Sequence, residues 1–317
     1  MERPWPFRTN ARPSAHRSID FLYRNDTDMT TWPIPEALSP SSTSTFQNCP
    51  MQFRFQNIQK LPQPPSVAAV NGNVVHRALE LLLGLDAALR TEEAALAFAQ
   101  TARTEFEPTY DITGLNLNET QLEAFWKDCD ALVKSYLRME DPKSVNVVDL
   151  ELWVQAPIND FGLRGYVDRI ERDTEGNLVI SDYKTGRAPR EQDVDAKMQQ
   201  LHMYAYMLRE MRGEAPATVS LMFVKDGIRH TRAVTEQTMK FVVTKTSALY
   251  KTISNACTTG NFPTKKSVLC NYCSFKDWCP EFGGNPDDAE VGAAVKYPRP
   301  AARLLTQLPD SKVLTTR

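Results

Sequence analysis

The sequence predicts an α/β domain with a mixed central sheet flanked by helices. Three observations carry this. Apolar residues recur at helical spacing through the first third of the chain. Two strand-like runs then meet across a turn-rich loop at 173–177. A further helical stretch and a further strand-like run follow them. The 317 residues are enough for one large core or two small ones. A hydrophobic content of 42% and a charged content of 24% are ordinary for a soluble globular chain. No apolar run nears the roughly 18 residues of a membrane span, and residues 1–25 lack a continuous apolar stretch. A cytoplasmic protein with no membrane partner is expected.

Residues 1–40 are polar and broken by Pro33, Pro35 and Pro40, so they are expected to be a disordered tail. Met29 competes with Met1 as the true start. Residues 284–317, with four prolines, are expected to form a similar flexible tail, which leaves 41–283 as the folded domain. Within it, Ser41, Ser42, Thr43 and Ser44 offer capping oxygens to a short helix carrying Phe46 and Cys49. Gly72 to Leu85 sets Val75, Leu79, Leu82 and Leu83 on one stripe, and helices are expected near 92–107 and 119–140. Strands are expected at 149–156, 163–172 and 178–183, then a helix at 194–212, a strand at 219–224 and a helix at 236–256.

The hairpin suggests chemistry. If Arg172 faces Leu178 across the Asp173–Asn177 loop, Asp168 falls opposite Asp182, with Ile170 and Ile180 beneath as core. Side chains alternate along a strand, so Asp182 and Lys184 share a face, and Asp168 joins them. Opposed carboxylates repel unless a cation lies between them. Two hard oxygens beside a lysine suit Mg2+ or Mn2+ and a scissile phosphate. Asp-x-Lys alone is as readily an exposed ion pair, so the register gives the motif its weight. His76, with Glu80 one turn on, lies in a helical stretch upstream, and Glu151 on the preceding strand is a speculative extra. The net charge of −2 carries no signature of a nucleic-acid binder, although 184–190, 225–232 and 265–276 are locally basic.

Six cysteines in such a chain point to metal ligands or free thiols, not disulfides. Cys270, Cys273 and Cys279 make a C-x2-C-x5-C cluster, while Cys49 stands far upstream; Cys49 and Cys279 each precede a proline. Four thiolates suit zinc or an iron–sulfur cluster. Phe46, Tyr272, Phe275 and Trp278 are placed to shield such a centre, and Cys129 and Cys257 read as buried thiols.

In this order these features resemble the iron–sulfur members of the RecB-like PD-(D/E)XK nucleases, among them the AddB nuclease domain and CRISPR-associated RecB-like exonucleases. Gly72 and His76 match a G-x-x-x-H helix. Gly165 to Ile170 match a G-x-x-D-R-I strand, Ile180 to Gly186 an I-x-D-Y-K-T-G strand end, and Gln200 and Tyr204 a Q-x-x-x-Y helix. The resemblance implies a restriction-endonuclease-like sheet. It implies a metal held by His76, Asp168, Asp182 and the Tyr183 carbonyl, with Lys184, Gln200 and Tyr204 completing the catalytic set. It also implies a [4Fe–4S] cluster on Cys49, Cys270, Cys273 and Cys279, with Zn2+ as the alternative. The implied activity is a metal-dependent DNA exonuclease acting on single-stranded ends in repair, recombination or CRISPR spacer acquisition. No G-x-x-x-x-G-K-[ST] motif occurs, so unwinding would need a helicase partner. A DNA-end-binding or scaffolding module that keeps the fold without turnover is the alternative, and a zinc-stabilised interaction protein a third.

Overall fold

Strand β3 organises the molecule. A computed structural model describes residues 32–298; the Met1-or-Met29 question and most of the expected N-terminal tail lie outside them. A two-residue strand β1 (Ala37–Leu38) leads into helix α1 (Pro40–Asn48). Ser39, not one of the four hydroxyls after it, caps α1. Its Oγ accepts the Ser42 N–H, and Pro40 sits at N1 where a missing donor costs nothing. Helix α2 (Pro50–Phe53) runs on into a π-helical turn at Arg54–Ile58.

Helices α3 (Val67–Leu83), α4 (Glu92–Phe106), α5 (Tyr110–Thr113) and α6 (Glu119–Met139) follow. Ser66, Thr91 and Asn118 cap α3, α4 and α6 by accepting backbone N–H groups of the first turn. The three long helices share one core, in which Val75, Leu79, Ala95, Leu132 and Tyr136 are buried.

Strands β2 (Asn146–Ile158), β3 (Phe161–Arg172) and β4 (Leu178–Lys184) form an antiparallel meander. Helix α7 (Glu191–Arg212) crosses over to β5 (Thr218–Phe223), parallel to β4, and a short turn gives the antiparallel edge strand β6 (Ile228–Ala233). Helix α8 (Glu236–Thr259), the cysteine-bearing loop and α9 (Ala289–Lys296) complete the described chain. The sheet runs β1-β3-β4-β5-β6, with β2 along the other edge of β3. Helices α1, α7 and α8 build a second core on one face, and α3, α4 and α6 cover the other. Strand β4 is therefore covered on both sides, and six of its seven residues are buried.

One edge of β3 is shared. Strand β1 takes Gly162 and Leu163, and β4 takes Arg169–Arg172, leaving residues 164–168 without a ladder partner on that side among the described residues. Asp168 sits at the end of this gap.

Both expected tails need correction where they are described. Leu38 is buried, β1 pairs with β3, and the Trp32 N–H donates to the Cys257 carbonyl. At the other end α9 buries Ala289 and Ala293. It packs so closely that a Cβ at Gly292 would lie 2.3 Å from Trp278 Nε1. The small residues Ala289, Gly292 and Ala293 let a short helix seat on an aromatic ring.

Candidate active site

The expected hairpin register holds. Arg172 pairs with Leu178, Glu171 with Val179, Ile170 with Ile180 and Arg169 with Ser181. The ladder stops there, one rung short of Asp168 and Asp182. Instead the Asp168 side chain bonds the opposite strand: its Oδ2 accepts the Tyr183 N–H at 2.8 Å. The Tyr183 carbonyl accepts from His76 Nε2 at 3.0 Å, and His76 Nδ1 lies 3.4 Å from Asp168 Oδ2. His76, Asp168 and the Tyr183 main chain are thus one constellation, reached from α3, β3 and β4.

Glu151 belongs to it. A carboxylate oxygen of Glu151, a ring nitrogen of His76 and a carboxylate oxygen of Asp168 all lie within 4.8 Å of one another. On β2 it stands between Leu150, opposite Arg169, and Leu152, opposite Val167, which puts it beside Asp168 across the ladder. Its φ of 46° is strained backbone for a non-glycine residue, of the kind that gathers at functional sites. Both strands switch face at this rung. Leu152 and Val167 pack towards α7, whereas Leu150 packs with the α3, α4 and α6 core and Arg169 contacts Tyr136 and Glu140 of the α6 side. A plain alternation of side chains cannot locate such a switch, so the sequence showed Glu151 only as a nearby acid. The β2–β3 register was the missing signal.

Asp182, on β4, lies close enough for its charge to act on both Asp168 and Glu151. It is buried, and its Oδ2 lies 2.6 Å from Lys184 Nζ. Gln200 Nε2 lies 3.5 Å from Asp182 Oδ1 and 3.3 Å from the Tyr204 hydroxyl. The expected Gln200–Tyr204 pair, one turn apart on α7, therefore reaches the site. Gly165 makes room for it, since a Cβ there would lie 2.7 Å from Tyr204 Cε1. Glu80 is paired with Arg77 at 2.9 Å.

The electrostatics follow from burial. Desolvation, reinforced by the Asp182 charge, pushes Asp168 up to about 7, against the pull of His76 and Lys184. Desolvation also raises Glu151, again opposed by His76. Burial alone would lower Lys184, but the Asp182 carboxylate outweighs it and holds the ammonium above its ordinary value. Buried carboxyls that are hard to ionise, converging with an imidazole, form a site that a divalent cation suits. Asp182, buried and paired with Lys184, adds a further carboxylate on the α7 side.

Behind the site lies a buried network. Arg169, fully buried, pairs with Glu140 and Glu171 and donates to the Tyr183 hydroxyl at 2.9 Å. Glu140 also pairs with Arg229. These contacts fix the Tyr183 ring, and with it the main chain that holds Asp168 and His76.

The four cysteines singled out in the sequence line one cavity with Phe55 and Phe275. They do not draw together as a tight ligand set: among the described residues no three of their sulfurs lie within 4.8 Å of one another. Phe46, Phe275 and Trp278 are buried, but Tyr272 is 87% exposed and shields nothing. Cys129 and Cys257 are buried thiols. No helix among the described residues is long and apolar enough to cross a membrane.

Among solved structures, one named "Putative exonuclease" from Eubacterium rectale is 14% identical; the match covers 74% of this chain and 92% of that one, with a TM-score of 0.46. The protein SSO0001 is 13% identical over 78% of this chain and 86% of its own, with a TM-score of 0.36. None of the curated proteins matches. The family model described as the PD-(D/E)XK nuclease superfamily matches residues 37–280, which span the sheet, the His76 helix and all six cysteines. The chain belongs to the PD-(D/E)XK nuclease superfamily.

Proposed function

We propose that this protein is a metal-dependent DNA exonuclease that hydrolyses phosphodiester bonds at single-stranded ends. The observation that carries the reading is the convergence of His76, Glu151 and Asp168 beside the ion pair of buried Asp182 with half-buried Lys184. His76, Asp168, Asp182 and the Tyr183 carbonyl would hold Mg2+ or Mn2+, with Glu151 as a further oxygen donor. Such an ion supplies a polarised phosphate and a bound water of lowered pKa. Lys184, kept protonated by Asp182, offsets charge building on the phosphate and orients the attacking water. Gln200 and Tyr204 hold donors on the α7 side, where they can position a phosphate oxygen.

We also propose that Cys49, Cys270, Cys273 and Cys279 bind an iron–sulfur cluster. A tetrahedral zinc on the same four thiolates is the alternative. The four cysteines line one cavity walled by Phe55 and Phe275, and the order Cys49, Cys270, Cys273, Cys279 matches the ligands of the iron–sulfur members of the family that the chain resembles. Such a cluster would tie α1 to the segment after α8. Anaerobically purified protein should be brown with broad visible absorption; colourless protein containing stoichiometric zinc would overturn this assignment.

Repair, recombination or CRISPR spacer acquisition would use this activity, with any unwinding left to a helicase. The decisive experiment digests 5′- and 3′-labelled single-stranded oligonucleotides with Mn2+, with Mg2+ and with EDTA. Stepwise shortening from one end is expected with metal only. Binding without cleavage would instead identify an end-binding module of the same fold.

A further inference from the structure

Next to the metal rung the sheet carries an aromatic rung. Trp153 of β2 pairs directly with Tyr166 of β3, their rings 4.8 Å apart in an edge-to-face arrangement. Glu151 and Asp168 lie two residues away on the same two strands, a rise of about 6.7 Å. Two rungs beyond the aromatics, on the same face, Gln155 faces Arg164, and both are exposed.

The face matters. Leu152, Val154 and Val167 point into the α7-side core, so Trp153 and Tyr166 point to the opposite side, the side from which α3 delivers His76. There the helical cover ends. Val147 and Leu150 still pack beneath it, whereas Trp153 remains 40% and Tyr166 55% exposed. Large aromatic rings on an uncovered sheet face, between a candidate phosphate-cleaving centre and an exposed guanidinium, match a strand with bases and charged phosphates in alternation. A partner protein would call for a broader apolar surface, but here the aromatics are bounded by Gln155 and Arg164.

We propose that Trp153 and Tyr166 form a stacking platform for the bases of a single-stranded nucleic acid adjoining the scissile phosphate, with Arg164 pairing with a phosphate further along. This rests on reading the neighbouring site as a nuclease. Base–aromatic stacking is indifferent to sequence, so the platform would hold any strand in line with the metal rung without selecting its bases.

The test uses the full-length protein, a twelve-residue oligothymidylate, and the same oligonucleotide made abasic at the nucleotides flanking the cleaved bond. In Ca2+, which blocks turnover in this test, the normal oligonucleotide should bind wild type about tenfold more tightly than the abasic one, the effect of losing stacked bases. Trp153→Leu and Tyr166→Leu, which keep an apolar side chain in the cross-strand pair, should bind the two equally, while Tyr166→Phe should behave as wild type. In Mn2+ the Leu variants should raise KM for the normal oligonucleotide and leave kcat nearly unchanged. Leu variants that still discriminate between the two as wild type does would overturn the platform, as would wild type that binds both equally. Failure of the nuclease reading has a separate signature: no Mn2+-dependent cleavage by wild type, with the binding comparison still deciding whether bases stack here.

Discussion

Asp168 accepts the main-chain N–H of Tyr183 at 2.8 Å, at the rung where the β3–β4 ladder breaks off. A side chain has replaced a backbone partner, and the substitution pins the carboxylate within reach of His76 and Glu151. The arrangement costs stability when the carboxyl ionises without a counter-ion, and this can be measured.

Burial and Asp182 raise Asp168 from 3.8 to about 7. A carboxyl that is harder to ionise in the folded chain favours folding while protonated. Its contribution is therefore complete below pH 3.8 and is lost as the pH rises through about 7. In EDTA, the melting temperature should fall between pH 5.5 and 7.5 more steeply for wild type than for Asp168→Asn. Added Mn2+ should raise it more at pH 7.5 than at 5.5, since the ion binds the ionised form. Identical pH profiles for the two proteins in EDTA would refute the assignment.

Lys184→Ala and Asp182→Ala should each reduce Mn2+-dependent cleavage by about a thousandfold or more, because each removes one side of the charge pair that the proposed reaction sets against the phosphate. Lys184→Ala also leaves a buried carboxylate uncompensated, so its circular dichroism and melting must be recorded beside activity. A folded Lys184→Ala protein with wild-type turnover would exclude the role given to this lysine.

Glu151→Gln separates metal binding from folding. The amide keeps the shape and most of the burial but loses the charge, so Mn2+ affinity should weaken by about 10–100-fold, as for other groups supporting a metal site. Because Glu151 is itself raised by burial, the apo protein should be no less stable than wild type at neutral pH. Isothermal titration with Mn2+ gives the first result and thermal melting the second; unchanged Mn2+ affinity would remove Glu151 from the site.

Much of this architecture is legible before any coordinates. The β3–β4 register follows from the loop at 173–177, because turn residues fix which positions face each other, and helices α4 and α6 carry clear apolar periodicity ended by capping residues. What escapes is non-local or irregular. Strands β1 and β6 are short or mostly polar, the latter because it lies at the edge with one face in solvent. Helix α9 is disguised by the prolines around it. The place of Glu151 depends on two strands switching faces together at one rung, for which no periodic pattern exists.

Gly165→Ala tests whether the glycine in the β3 motif serves the site or only the strand. The added Cβ would meet Tyr204 Cε1 at 2.7 Å, so the ring must move and take its hydrogen bond with Gln200 along. Alanine is an ordinary strand residue here, so stability should change by about 1–3 kcal/mol, the usual range for overpacking. Turnover should fall tenfold or more. The double variant Gly165→Ala, Tyr204→Phe should lose no more activity than the worse single one, since both act through the same hydroxyl. Additive losses would place the effect of Gly165 elsewhere.

Arg169 supplies the last test. It is fully buried among Glu140, Glu171 and the Tyr183 hydroxyl, so Arg169→Met leaves two largely buried carboxylates short of their counter-ion. Breaking a buried pair from one side costs about 3–5 kcal/mol, whereas removing both charges costs much less. Arg169→Met should therefore be strongly destabilised, and adding Glu171→Gln should restore part of the loss. Glu140→Gln alone should be milder, because Arg169 keeps Glu171. The acid limb reports the same network. Arg169 holds Glu140 below its ordinary value despite burial, so its stabilisation is present above about pH 4.5 and is lost as the pH falls further. Glu140→Gln should flatten that limb while leaving the neutral-pH effect of Asp168 in place. If Arg169→Met melts like wild type, the network does not support the Tyr183 main chain, and the geometry that brings Asp168 and His76 together must be held by the strand ladder alone.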